Sequence, residues 1–328
     1  MTAKENALEI IRFGNPERIV TGMPSCGCSY FGVDHEPFEG VGGHQSPVGT
    51  KWRDIWGVGW QKALDGVMGL AREHPLSDVR KVDSFQFPDP DDPRICSQIY
   101  KRAKAVDRTG KFLSGSHRET LWERSYNLVG MDNLMIAFTT EPNAVRAVLH
   151  AVMDFQLGIA RHYLEVGLEY AGLGDDLGSQ HGLLFSPEIL HEFFVPEYRR
   201  LFDLYKEHDV LIRFHSCGHI EPILDVYMDL GVDILNPVQA SANDLDVVRA
   251  RTQGRMALNG GVSTHTIMQG PVEKIRQETR QRLWQLGRDG GYLCRNDQSM
   301  PFPEAHIEAL RETVAEYGVY PLEKPVAA

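Results

Sequence analysis

Between residues 165 and 310 short apolar runs alternate with helical patterns, and this alternation restricts the chain to folds built on a parallel sheet. Runs at 210–214, 232–235, 255–258 and 291–294 have the length and composition of buried strands. Helix signals lie between them. Ser186 suits an N-cap, Pro187 the first helical position and Glu188 the first turn. Ile189, Leu190, Phe193, Phe194, Leu201 and Phe202 then follow helical spacing, with Pro196 placed to kink or split the helix. Further helices are expected near 219–230, ended by Gly231, near 243–252, after Pro271 and after Pro303. Strands and helices alternating in this way form parallel βα units.

An open doubly wound sheet and a closed (β/α)8 barrel both fit the rhythm. The barrel is favoured because the strand ends carry Asp175, His215, Asn236, Asn259 and Asn296, which a barrel gathers on one rim. No glycine-rich phosphate fingerprint follows a strand, which weakens the dinucleotide-binding alternative. The expected architecture is therefore an α/β (TIM) barrel over residues 101–328, its first strand near 111–117. Residues 1–100, rich in Gly, Pro and aromatic side chains, read as an irregular extension packed on the barrel, with a helix near 60–73. Trp52, Trp56 and Trp60 lie four apart, but Gly57 and Gly59 argue against a regular helix there, so packing is their expected role.

A net charge of −11 leaves no basic excess to neutralise phosphates, so a nucleic-acid partner is not expected. No run of 18 apolar residues and no leader pattern is present, so no membrane partner is expected either. The five cysteines, Cys26, Cys28, Cys96, Cys217 and Cys294, do not form a secreted disulfide framework. A reducing cytoplasm is expected, with thiols free to act as ligands.

His215-Ser216-Cys217-Gly218 stands directly after the strand 210–214. An imidazole and a thiol two positions apart in a strand-end turn can aim at one point, and zinc accepts both. A His near a Cys is common, so the pair becomes a metal site only with a third donor. Asp175 and Asp176 follow another strand, and one of them is expected at the rim to orient substrate or move a proton. Asn236 and Gln239 are candidate substrate-binding residues, although Asn-Pro is also turn chemistry. His117, His181 and His219 are isolated, with His181 the best placed, in the loop after Asp176. Cys26 and Cys28 lack a second ligand pair and read as core or loop thiols.

Taken together, Gly174-Asp175-Asp176-Leu177-Gly178-Ser179-Gln180, Leu184-Phe185-Ser186-Pro187-Glu188, Phe214-His215-Ser216-Cys217-Gly218 and Gly231-Val232-Asp233-Ile234-Leu235-Asn236-Pro237-Val238-Gln239 resemble the uroporphyrinogen decarboxylase-like superfamily. That superfamily includes porphyrinogen decarboxylases and corrinoid- or thiol-dependent methyltransferases, and the resemblance implies a (β/α)8 barrel and a homodimer. The decarboxylases carry an arginine-rich segment near the start that holds substrate propionates. Here the comparable residues are Pro24-Ser25-Cys26-Gly27-Cys28-Ser29-Tyr30, with no arginine. The His-x-Cys pair instead resembles the zinc motif of the methyltransferases, whose third ligand is a cysteine after the last strand. In this chain that loop offers Cys294 or Asp297.

The resemblance thus implies a methyltransferase acting between a small O-, N- or S-methylated compound and a corrinoid protein, a thiol or a pterin such as tetrahydrofolate. Zn2+ would be held by His215, Cys217 and either Cys294 or Asp297. No Asp-x-His-x-x-Gly corrinoid loop occurs in the chain, so the corrinoid would ride on a separate protein. Two alternatives remain: a metal-free lyase decarboxylating another carboxylate through Asp176, and a non-catalytic tetrapyrrole carrier.

Overall fold

The computed structural model describes residues 1–38, 42–43 and 45–325. Ten strands are present among them: β1 (Ser25–Gly27), β2 (Lys51–Arg53), β3 (Gly59–Gln61), β4 (Leu70–Glu73), β5 (Phe112–Arg118), β6 (Tyr170–Gly174), β7 (Leu211–His215), β8 (Ile234–Val238), β9 (Ala257–Val262) and β10 (Tyr292–Asn296). A parallel sheet of seven runs in the order β1-β5-β6-β7-β8-β9-β10, and β2-β3-β4 form a separate antiparallel sheet. The parallel sheet is curled. The backbone N–H of Cys294 in β10 donates to the Val20 carbonyl at 2.9 Å, just before the chain enters β1 on the other edge. Among the described residues this sheet has seven strands where a complete (β/α)8 barrel has eight.

Alternation along β7 shows how the strands divide their faces. Ile212 and Phe214 point outward, where the Phe214 ring meets Tyr198, Phe202 and Tyr227 from the surrounding helices. Leu211, Arg213 and His215 occupy the other face. Phe112, Tyr170, Ile234, Ala257 and Leu293 form an apolar cluster with Leu211 at its edge, closed by Ala7, Ile10 and Ile11 of the helix Ala3–Ile11. That helix begins with a capping box between Thr2 and Glu5. The amino-terminal end of the sheet is thereby sealed, and the carboxyl ends of the strands are left to build the site.

Pro196 acts as its chemistry requires. The helical run it interrupts starts at the Ser186 cap, widens into a π-turn at Leu190–Phe194 and resumes as the helix Val195–Glu207. Pro196 has no N–H to donate, and the wider turn absorbs the missing bond.

The first hundred residues differ from the sequence reading in two respects. The sheet begins at β1 rather than near 111–117, so the extension supplies its edge strand. No helix covers 60–73; β3 and β4 lie there instead. Trp52 and Trp60 are cross-strand partners with ring centroids 6.5 Å apart. A Cβ on Gly59 would meet Glu73 Cβ at 2.7 Å, so the glycine that disfavours a helix also allows close strand pairing.

Candidate metal centre and substrate cavity

His215 ends β7, and its ring orientation is fixed by a relay that can be read in one direction. The Leu293 carbonyl can only accept, so the Asn259 group facing it at 3.1 Å is the amide NH2. Asn259 Oδ1 then accepts from Asn236 Nδ2 at 2.9 Å, which turns Asn236 Oδ1 toward His215 Nδ1 at 3.0 Å. Arg213 Nη1 donates to the same oxygen at 3.2 Å, consistent with that assignment. His215 Nδ1 must therefore carry the proton. In the neutral ring this leaves Nε2 with its lone pair free, the form in which imidazole binds metals.

Two more lone pairs converge on that nitrogen. Cys217 Sγ lies 3.1 Å from Nε2, and Asp176 Oδ1 lies 3.5 Å from it. The Asp176 oxygen also accepts the Cys217 backbone N–H at 2.8 Å, and Gln298 Nε2 donates to the Cys217 sulfur at 3.0 Å. The three donor atoms lie within 4.8 Å of one another. Tetrahedral zinc with ordinary bond lengths would place such atoms about 3.4–3.6 Å apart. The His–Asp separation already matches, and the His–Cys separation is shorter by a few tenths of an ångström. Nitrogen, sulfur and oxygen donors around one point fit zinc chemically.

Two glycines bring the two loops together. A Cβ on Gly218 would sit 2.4 Å from the Gly178 carbonyl oxygen, and Gly218 has φ +83°. Only glycine permits this contact, which joins the loop after β6, carrying Asp176, to the loop after β7, carrying Cys217.

Burial pushes the Cys217 thiol up, reinforced by the Asp176 charge, while the bond from Gln298 opposes the shift. Burial holds His215 below the usual histidine range against the opposing pull of Asp176. A cavity of about 1120 Å³ opens over these residues. The extension walls one side of it through His35, Trp60 and His74. Glu123, on the helix Trp122–Val129, faces the same cavity. Its carboxyl is pushed well above the usual range by burial and then by Glu119, Asp176 and Asp175.

The remaining candidates from the sequence are placed elsewhere or otherwise engaged. Asp175 is fully buried and points away from the cavity. It accepts from the backbone N–H groups of Leu121 and Glu123 at 2.8 and 2.9 Å and from the Tyr198 hydroxyl at 2.6 Å. It supplies the cap that the helix Trp122–Val129 lacks at its Leu121 N-cap and stands outside the cavity lining. Its burial outweighs these donors and pushes its carboxyl up to about 7. Cys294 is fully buried outside the cluster, on the same face of β10 as Tyr292, and burial raises its thiol to about 12. Asp297 borders the cavity, but its oxygens accept from the Thr264 N–H and hydroxyl and from the Ala240 N–H, and it stands outside the donor cluster. The carboxylate that joins His215 and Cys217 is Asp176, and the loop after β10 sends Gln298 to the sulfur instead.

Gln239 is a loop brace: it accepts from the Gly218 N–H and donates to Gln180 and Ser241. His181 is exposed and lies outside the cavity lining. His117 is fully buried between Gln156 and Tyr205, and His219 bonds the Ala242 carbonyl. Sequence reasoning missed Glu123, Gln298 and the lumen arginines Arg213 and Arg295. For Arg213 a signal existed, since it alternates with His215 on an otherwise apolar strand.

A curled parallel sheet with a histidine-cysteine-aspartate cluster at its carboxyl end defines an α/β protein with a polar, metal-competent rim. Residues 72–317 match the family model described as uroporphyrinogen decarboxylase (URO-D), and the chain belongs to that family. A solved methyltransferase from Methanosarcina mazei is similar over 97% of this chain and 99% of its own, with a TM-score of 0.72 and 16% identity, a likeness of fold. A xylose isomerase-like TIM barrel protein from Mycobacterium smegmatis aligns over 73% of this chain and 86% of its own, at 15% identity and a TM-score of 0.36, too distant to support an argument. No curated protein matches the sequence. Among the described residues no helix is long and apolar enough to cross a membrane.

Proposed function

We propose that this chain is a zinc-dependent methyltransferase. It moves a methyl group between a small O-, N- or S-methylated compound and an acceptor, which is a thiol, a pterin or a separate corrinoid protein. The observation that carries this reading is the convergence of His215 Nε2, Cys217 Sγ and Asp176 Oδ1 on one point beneath the cavity. Three lone pairs aimed together repel unless a proton or cation lies between them. A ring protonated on Nδ1 supplies no proton from Nε2, so the raised Cys217 thiol holds the one proton among the three, and a cation that displaces it is shared by all three donors.

His215, Cys217 and Asp176 would hold the ion, and three protein ligands leave a position for substrate. Zinc so held supplies a thiolate at neutral pH or polarises the leaving atom. The Asn259–Asn236 relay keeps the imidazole aimed, and Gln298 steadies the sulfur by hydrogen bonding. Glu123, whose carboxyl burial and the neighbouring carboxylates push up, lines the cavity where a proton could be passed to a departing alkoxide or amine.

Elemental analysis of wild type and single variants tests the reading. About one zinc per chain is expected, lost in Cys217→Ala and His215→Ala, weakened in Asp176→Ala and retained in Cys294→Ala. Well under one zinc in unstripped wild type, with no binding on addition, would overturn it. A second reading, decarboxylation of a carboxylate, is favoured by the family and by the cations of the lumen. It predicts CO2 release that survives Cys217→Ala.

A further inference from the structure

Below the rim the lumen is polar where a TIM barrel is ordinarily packed with branched apolar side chains. Arg213 lies one inward step beneath His215 on β7, and Arg295 one inward step beyond Leu293 on β10. With Ser116 and Gly172 they line both the large cavity and a second one of about 270 Å³ beneath it. Both side chains are half-buried. Among the described residues neither guanidinium has an ion-pair partner. Every other arginine-carboxylate contact in the lumen's surroundings is accounted for elsewhere: Arg118 pairs with Asp34, and Arg124 with Asp54 and Glu119.

The hydrogen bonds are equally sparse. Arg213 makes one, to Asn236, and its Nε is buried without a partner. Arg213 passes over Gly172, where a Cβ would be in ordinary contact with Nη2 at 3.5 Å. The second-layer neighbours are Ser114, Asn236 and Asn259, none of which carries charge. Among the described residues no carboxylate contacts either half-buried guanidinium, although Asp176, Glu123 and Asp297 line the cavity above, so an anion bound against the two arginines gains charge-assisted hydrogen bonds that the chain does not supply. Burial depresses Arg295, and the Arg213 charge adds to the shift, as expected if the two guanidiniums feel each other.

We propose that Arg213 and Arg295 form a subsite for a carboxylate, so that the substrate is a short acid whose far end carries the reacting sulfur or methyl-bearing atom. Guanidinium matches a carboxylate by its planar fork. The span is short: Arg213 and His215 bond the same Asn236 oxygen, at 3.2 and 3.0 Å. A ligand of three or four backbone atoms spans from Arg213 to the donor cluster, and Arg295 lines the same cavity. The sequence offered no arginine in residues 24–30 for a carboxylate; β7 and β10 supply the cations instead. The placement of the reacting end rests on the metal reading above, whereas the carboxylate subsite does not.

Titration calorimetry with 3-mercaptopropionate and its uncharged amide tests this. The clean variant is Arg295→Gln, because among the described residues the Arg295 side chain makes no hydrogen bond whose loss would disturb the fold. The zinc-loaded wild type should bind the carboxylate at least tenfold more tightly than the amide. Arg295→Gln should erase that preference with zinc content unchanged. Cys217→Ala should lose zinc and overall affinity while keeping the preference for the carboxylate. Wild type without zinc but with a preference that Arg295→Gln removes would refute the metal reading and leave this subsite standing. Equal binding of acid and amide by wild type, or a preference untouched in Arg295→Gln, would overturn the subsite.

Discussion

Replacing Asn236 by alanine tests the central geometric claim, that His215 is presented to a metal by a relay rather than by its own rotamer. Asn236 is 6% exposed, so water cannot readily replace its amide. Its Oδ1 is the acceptor for both His215 Nδ1 and Arg213 Nη1, and its Nδ2 is anchored on Asn259. Loss of the amide frees the ring to rotate and removes the bond that fixes the tautomer. Partners of this kind typically contribute 10- to 100-fold in metal affinity, about 1.4–2.7 kcal/mol. A graded series follows. Asn236→Ala should weaken zinc binding about 10- to 100-fold. Asn259→Ala, one bond further out, should cost several-fold less. Asn236→Asp, which retains the acceptor and adds charge, should bind at least as tightly as wild type. Competition with a chromophoric chelator measures these affinities, and far-ultraviolet circular dichroism with thermal unfolding verifies the fold. Wild-type affinity within threefold in Asn236→Ala, or a larger loss in Asn259→Ala, would refute the relay.

Asp175→Ala should destabilise by about 3–4 kcal/mol, since two buried N–H groups and the Tyr198 hydroxyl lose their acceptor. For a chain of 328 residues this lowers Tm by about 5 °C, with zinc stoichiometry intact; loss of zinc without loss of stability would contradict the capping role. Cys217 should react slowly with iodoacetamide at pH 8 in metal-free protein, because burial and Asp176 raise its thiol. Asp176→Asn removes the like charge and should shift the rate profile toward lower pH, and an unshifted profile would separate the two groups. Burial lowers His117 to about 4, so folding favours its neutral form. The stability tied to it is present above about 6.5 and lost as the pH falls through 4, about 3 kcal/mol in all. Urea unfolding of wild type should reveal that loss between pH 7 and 4, and His117→Asn should lack it.

What the sequence conveyed, and what it withheld, follows from the range over which each feature is determined. Strand and helix order, the split at Pro196 and the rim position of His215 and Cys217 depend on neighbours a few residues apart, and local periodicity reports those. The choice between Asp175 and Asp176 does not. Successive residues leaving a strand face opposite ways, and which one faces the cavity depends on where the strand ends, which is fixed by Tyr198 and by the helix Trp122–Val129. The third donor was sought after β10 because a resemblance pointed there, whereas the contact between Gly178 and Gly218 delivers Asp176 from the loop after β6. The helix expected near 60–73 fails for a similar reason: pattern cannot tell a strand pair closed by a glycine from a short helix. Arg213 was the most recoverable omission. A charge at alternate spacing with His215 on a strand flanked by apolar neighbours must enter the lumen with it, and a lumen charge without a partner in the chain points to one outside it.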